Sequence, residues 1–143
     1  MAESSIKRFI DAQERDYPIA LTEIKSGRKR SHWMWYIFPQ IKGLGFSSTS
    51  QHYGINSLKE ADAYSRHPVL GERMVAICKA LLELESNNAT EIFGSPDDLK
   101  LRSSMTLFSA IPGSDPVFQQ VLDKFFKGKA DQQTMTILNR HTI

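Results

Sequence analysis

The apolar positions of this chain fall into a series of helical stripes, broken by one stretch that has no period. From Ser5 to Asp16, Ile6, Phe9, Ile10 and Gln13 recur at three- and four-residue steps, so they share one face of a helix. Ser4 or Ser5 is placed to cap its start. Pro18 suits the first turn of a second helix, where its missing N–H has no partner to lose. Tyr17, Ala20, Leu21 and Ile24 line that helix, and Gly27 is a natural stop. Further on, Ser57-Leu58-Lys59-Glu60 reads as a capping box opening a short helix with Leu58, Ala61 and Tyr64. His67-Pro68 begins the longest stripe: Leu70, Met74, Ile77, Cys78, Leu81 and Leu84. Ser86-Asn87-Asn88 ends it, and one short helical turn follows from Thr90 to Phe93.

Two more start signals follow. Ser95-Pro96-Asp97-Asp98 combines a capping serine, a proline at the first position and carboxylates at the positive helix end. Leu101, Met105 and Phe108 line that helix until Pro112-Gly113. Asp115-Pro116 repeats the signal ahead of Val117, Phe118, Val121, Leu122, Phe125 and Phe126, with Phe125 expected in the core. Gly128 is the expected stop, and Asp131 to Leu138 forms a last short helix.

The exception is the run from Gly27 to Gln40, in which a basic segment gives way to a block holding both tryptophans of the chain. No period fits it, and density of this kind needs burial. Gly43 to Tyr53, rich in Gly, Ser and Thr, reads as a loop. The expected fold is therefore mainly α: a single compact multi-helix domain over residues 1–143 around the aromatic-rich central segment. That segment is expected to pack on the helices at Pro68 to Glu85 and Pro116 to Lys127.

Composition narrows the function. With 143 residues, 41% hydrophobic and 24% charged, the chain has the makings of one folded core. Its net charge of +2, from 18 basic and 16 acidic residues, is too balanced for a dedicated nucleic-acid binder, so no nucleic acid is expected as partner. Cys78 is the only cysteine, which excludes an intrachain disulfide and a thiolate metal cluster, and it is expected to be an inert core thiol. His32, His52, His67 and His141 lack metal-ligand spacing, and no Gly-Lys-Ser/Thr loop occurs, so neither a metal nor a cofactor is expected. No run of 18 apolar residues is long enough to span a membrane, and no apolar stretch precedes Ile6. A cytoplasmic protein is expected, and its oligomeric state stays open.

The candidate chemistry gathers at the aromatic block and the segments after it. His32 stands where the basic run meets the aromatics and could act as a general acid or base, or orient a ligand oxygen. The alternative is that it holds backbone. Ser31 is not its catalytic partner, because adjacent side chains point apart in helices and strands alike. Arg28, Lys29 and Arg30 can meet an anion or simply form a solvated helix end. Trp33, Trp35 and Tyr36 belong mostly to the core, with room for one at a pocket lip. Ser103-Ser104-Met105-Thr106, polar inside a helix, marks either close packing or a pocket wall. Asp97 and Asp98 read as cap and dipole residues. The catalytic candidates are His32 and Ser104; the ligand-binding candidates are Arg30, His32, Trp35, Gln40, Ser50, Tyr53 and Ser104, facing an anionic small molecule.

The stretches Gly27 to Gln40, Gly43-Leu44-Gly45, Tyr64 to Gly71 and Phe93 to Phe108 together resemble a bacterial domain-of-unknown-function family. Its motif is similar to Ser31-His32-Trp33-Met34-Trp35-Tyr36-Ile37-Phe38-Pro39-Gln40, and Lys100 to Phe108 resembles its second signature. The resemblance spans nearly the whole chain. It implies a mainly helical domain, as in a mycobacterial member, and no established activity. Relatives sometimes carry the label calpastatin-like; calpastatins are extended inhibitor chains, and this composition is that of a folded domain. More loosely, the arrangement resembles small helical domains that act on ADP-ribose and related N-glycosides, with no residue carried over. Two functions follow as expectations: binding or processing of a phosphorylated, nucleotide-like molecule, or a non-catalytic module that binds a protein or peptide.

Overall fold

The computed structural model describes residues 2–141, with side chains from 5 to 140. Among these the chain is mainly α. Nine helices follow in order: α1 (Ala2–Lys25), α2 (Met34–Ile37), α3 (Ser48–Tyr53), α4 (Leu58–Arg66), α5 (Pro68–Glu83), α6 (Ala89–Phe93), α7 (Asp97–Ser109), α8 (Val117–Phe126) and α9 (Gln132–His141). The only extended pairing among the described residues is an isolated parallel bridge between Ile41 and Ile55.

The expected stripes are the core. Phe9 and Ile24 of α1, Leu70, Ile77 and Leu81 of α5, Leu101 and Phe108 of α7, and Phe118 and Val121 of α8 are all buried. α5 packs against α1, α4 and α8, while α7 packs against α8, α6, α4 and α9. Gly71 lets α5 cross α4 closely, since a Cβ there would lie 2.1 Å from the Ser65 carbonyl oxygen.

Several expectations are corrected. The first two helices are one. α1 runs through Pro18, so Ser4 and Ser5 sit within it rather than at its cap. Pro18 is exposed, while Gln13 and Ala20 on either side are buried and hold the helix together. Ser48 to Tyr53 is a helical turn rather than a loop, because Ser47 Oγ accepts from the Ser50 N–H. Ser95 does not cap α7. The Ser95–Pro96 peptide is cis and Pro96 takes the cap position; the first N–H groups go to the Gly94 carbonyl and the Asp98 carboxylate. α8 ends at Phe126, two residues before Gly128, with Lys127 itself left-handed.

The aromatic block also packs elsewhere than expected. It lies chiefly on α1, α3 and α6: Trp33 and Phe38 pack edge-on against or beside Phe93, and Tyr36 meets Tyr53 at 5.1 Å. Phe125 is only half-buried, with Lys124 over its ring, so the deep position on α8 is Phe118.

Candidate functional site

The aromatic block starts from a single carboxylate. Glu23, near the end of α1, accepts at Oε1 from the backbone N–H groups of Arg30 and Ser31 and from Trp33 Nε1. Its Oε2 accepts from Ser31 Oγ at 2.6 Å. Partial burial disfavours the ionised form, but these four bonds outweigh it and hold the Glu23 carboxyl down at about 2. The segment after Gly27 is thereby folded back onto α1, and Trp33 is buried with its N–H satisfied.

Two residues later Trp35 turns the other way, half-buried, onto a cleft of about 450 Å³. One wall is the segment from Gln40 to Gly45 with Ser50 and Tyr53 of α3; the facing wall is Lys100, Arg102 and Ser103 of α7; Asp131 and Gln133 close one end. The Ile41–Ile55 bridge holds the first wall, with the Ile55 N–H donating to the Gln40 carbonyl and the Lys42 N–H to the Ile55 carbonyl. Gly54 permits this approach: a Cβ there would sit 2.8 Å from Lys42 Cβ.

The charge on the second wall has a built support. Lys100 Nζ lies 4.4 Å from the centre of the Trp35 ring and 2.9 Å from Asp97 Oδ1. Asp97 Oδ2 is 2.9 Å from Lys29 Nζ, whose side chain is only 8% exposed and which also donates to the Ser31 carbonyl. Burial alone would raise the Asp97 carboxyl, but Lys100 and Lys29 together hold it below its usual range. This triad carries two positive charges against one negative, and Lys100 is its member on the cleft. Arg102 adds a second cation, positioned by donating to the Lys129 and Ala130 carbonyls. The one carboxylate lining the cleft, Asp131, is engaged at Oδ2 by the Thr134 N–H and hydroxyl at the start of α9.

Two buried side-chain polar atoms lack a hydrogen-bond partner among the described residues: Gln40 Nε2 and Ser104 Oγ. Gln40 lines the cleft; Ser104 is fully buried in α7 and does not reach it. Of the residues singled out from sequence, Trp35, Gln40, Ser50 and Tyr53 come together in the cleft. Arg30 and His32 lie outside it. Arg30 is exposed, and His32 is exposed on a separate shallow groove with Arg15, Asp16 and Ser31. Lys100, Arg102, Asp131 and Gln133 line the cleft without being among the sequence candidates for the site. Lys100 and Arg102 fall in the stretch from Lys100 to Phe108, where the polar residues Ser103, Ser104 and Thr106 drew attention and the two cations did not. Lys29 likewise is no solvated helix-end residue, because Asp97 pulls it inward.

A wider depression of about 740 Å³ lies between α4, α5 and the turn at Ile111 to Asp115. It holds three carboxylates, Asp62, Glu72 and Asp115, against two cations, Arg66 and Lys79, and no aromatic ring. Arg66 is already paired with Asp62. The smaller cleft, with aromatic faces, net positive charge and a free buried donor, has the makings of a ligand site. No group of three or more His, Cys, Asp or Glu among the described residues is arranged to hold a metal ion.

This mainly helical architecture is shared by a protein of known structure. The family model described as a protein of unknown function, DUF1810, matches residues 3–138. The chain therefore belongs to the DUF1810 family. It is similar to the conserved hypothetical protein Rv1873 from Mycobacterium tuberculosis, whose crystal structure superimposes with a TM-score of 0.91 at 43% sequence identity. The match covers 94% of this chain and 96% of that one. None of the curated proteins matches the chain. No helix among the described residues is long and apolar enough to cross a membrane.

Proposed function

We propose that the cleft binds a small anionic molecule with a flat ring, in the class of phosphorylated nucleotides and ADP-ribose. The observation that carries this is Lys100: a cation at 4.4 Å from an aromatic face on the cleft, in a triad with one positive charge in excess. A phosphate group completes that balance and takes charge-assisted hydrogen bonds from Lys100 and Arg102. Trp35 and Tyr53 give the cleft an aromatic lining against which a ring can pack. Hydrolysis of an N-glycosidic bond would need a free carboxylate beside the sugar, and Asp131 is already engaged at Oδ2 as a helix cap. We therefore propose binding rather than turnover. The lone Cys78 thiol, buried and unpaired, suits a reducing compartment, and we place the protein in the cytoplasm.

The test is a thermal-shift titration with AMP and ADP-ribose. A ligand that binds only the folded state at about 100 times its Kd adds about 2.7 kcal/mol of stability, and Lys100→Ala is expected to abolish the shift while the variant stays folded. No shift with either compound, together with a stoichiometric complex with a peptide or protein, would favour the binding-module alternative.

A further inference from the structure

Beside the cleft, and sharing Gly43, Leu44 and Gln133 with it, lies a second hollow of about 340 Å³. Phe46 forms its outer lip, and at 87% exposure it is the most exposed large apolar side chain among the described residues. The opposite wall is Ile137 and Arg140 of α9. An aromatic ring in water on a floppy loop would signify little, but this backbone is held at both ends. The Phe46 carbonyl accepts from Gln51 Nε2 at 2.9 Å, and the next residue, Ser47, caps α3. Gly45 packs onto Ser50, whose Oγ would be 3.0 Å from an added Cβ. Gly43, at φ +112°, brings the chain within van der Waals reach of Ile137 Cδ1, at 3.5 Å from its ideal Cβ position. The lip is thus tied to α3 on one side and abuts α9 on the other, with its ring kept in water.

We propose that this hollow is a second ring subsite of the same ligand, so that the ligand class is a dinucleotide: two bases joined through a pyrophosphate. This rests on the proposed function of the main cleft. The first base and the bridging phosphates occupy the cleft with Lys100 and Arg102. The chain of the ligand passes over the shared wall at Leu44 and Gln133, and the second base lies between Phe46 and Ile137. Arg140, on the open side, faces the phosphate bridge or stacks on the second base. Fixing the aromatic in advance leaves little ordering cost on binding, which is the use of an exposed ring on a held backbone.

The experiment compares two probes that differ only in the second base: diadenosine diphosphate and ADP-ribose, titrated calorimetrically into the wild-type protein, Phe46→Ala and Phe46→Trp. The dinucleotide is expected to bind the wild type about tenfold more tightly, the low end of what stacking one base on an aromatic contributes. Phe46→Ala should bring the dinucleotide down to the affinity of ADP-ribose without changing ADP-ribose itself, and Phe46→Trp should restore the difference. Equal affinities in the wild type, or a preference that survives Phe46→Ala, would overturn the second subsite while leaving the main cleft intact. Binding of neither probe would overturn the cleft and the subsite together.

Discussion

Trp33 and Trp35 stand two residues apart, and each has a lysine over its ring, yet their surroundings are opposite. Trp33 is buried, its Nε1–H is bound to Glu23, and Lys29 above it is locked between Asp97 and the Ser31 carbonyl. Trp35 is half-buried, faces the cleft, and has above it Lys100, which shares Asp97 but keeps a face toward the open space. Around Trp33 every polar group named has a partner inside the protein; around Trp35 a buried amide, Gln40 Nε2, has none among the described residues. One carboxylate, Asp97, joins the two halves. A closed structural half therefore carries an open half, and the proposed ligand site belongs to the open one.

Substitutions at these positions test that contrast. The largest effect is expected for Trp33→Ala, about 3–5 kcal/mol of lost stability in urea denaturation, the range for emptying a buried aromatic site. Trp35→Ala should lose only about 1 kcal/mol, typical of a position away from the core, and should lose ligand binding. Equal losses for the two would erase the distinction. Glu23→Ala lies between the two tryptophans, with about 1.5–3 kcal/mol expected from removing a charged acceptor that four donors share.

The same carboxylate sets a pH dependence. The Glu23 carboxyl titrates at about 2 when folded against an ordinary 4.5, so between these values the unfolded chain binds more protons. Its contribution is fully present above about 4.5 and is lost as pH falls toward about 2. Asp97 and Glu60 are shifted the same way. In acid titrations Glu23→Gln should flatten this part of the decline, and an unchanged slope would remove Glu23 as its source.

Phe118→Ala and Phe125→Ala separate the deep and shallow positions of α8: about 3–5 kcal/mol for the first, and less than half of that for the half-buried second. The smallest effect is expected for Ser104→Ala. Its hydroxyl is buried without a partner among the described residues, so its removal should leave stability within about 1 kcal/mol of the parent, in the stabilising direction.

Most of the helices were legible in the sequence because their signals are local. His67 caps α5 through Nδ1, accepting from the Val69 and Leu70 N–H groups, where His67-Pro68 announced a start. Ser57 Oγ accepts from the Glu60 N–H, one half of the capping box, while the Glu60 carboxylate reaches back one residue further, to the Asn56 N–H. The buried stripes of α5, α7 and α8 follow the three- and four-residue spacing. The same rules failed where a distant group outweighed a local preference. Pro18 could not divide α1, because the residues flanking it bury their faces against α4 and α5. Glu60 illustrates the reach of such effects: besides its place in the capping box it is bound by Ser5 and Arg8 of α1, more than fifty residues away.

What the amino-acid sequence determined by itself is the mainly helical class, the helices from α4 onward with their apolar faces, and the concentration of Trp35, Gln40, Ser50 and Tyr53 in one region of the chain. These follow from spacing, caps and turn residues, whose energies act over a few positions. What only the tertiary structure decided is which side chains share a cavity. Lys100 and Arg102 came to the cleft because α7 packs opposite the 40–54 segment, Lys29 turned inward because Asp97 stood within 2.9 Å, and His32 and Ser104 went elsewhere, one to solvent and one to the helix interior. Charge pairing and burial depend on distance in space: Asp97 and Lys100 are neighbours on one helix, but Lys29 joins them only when the chain closes on itself.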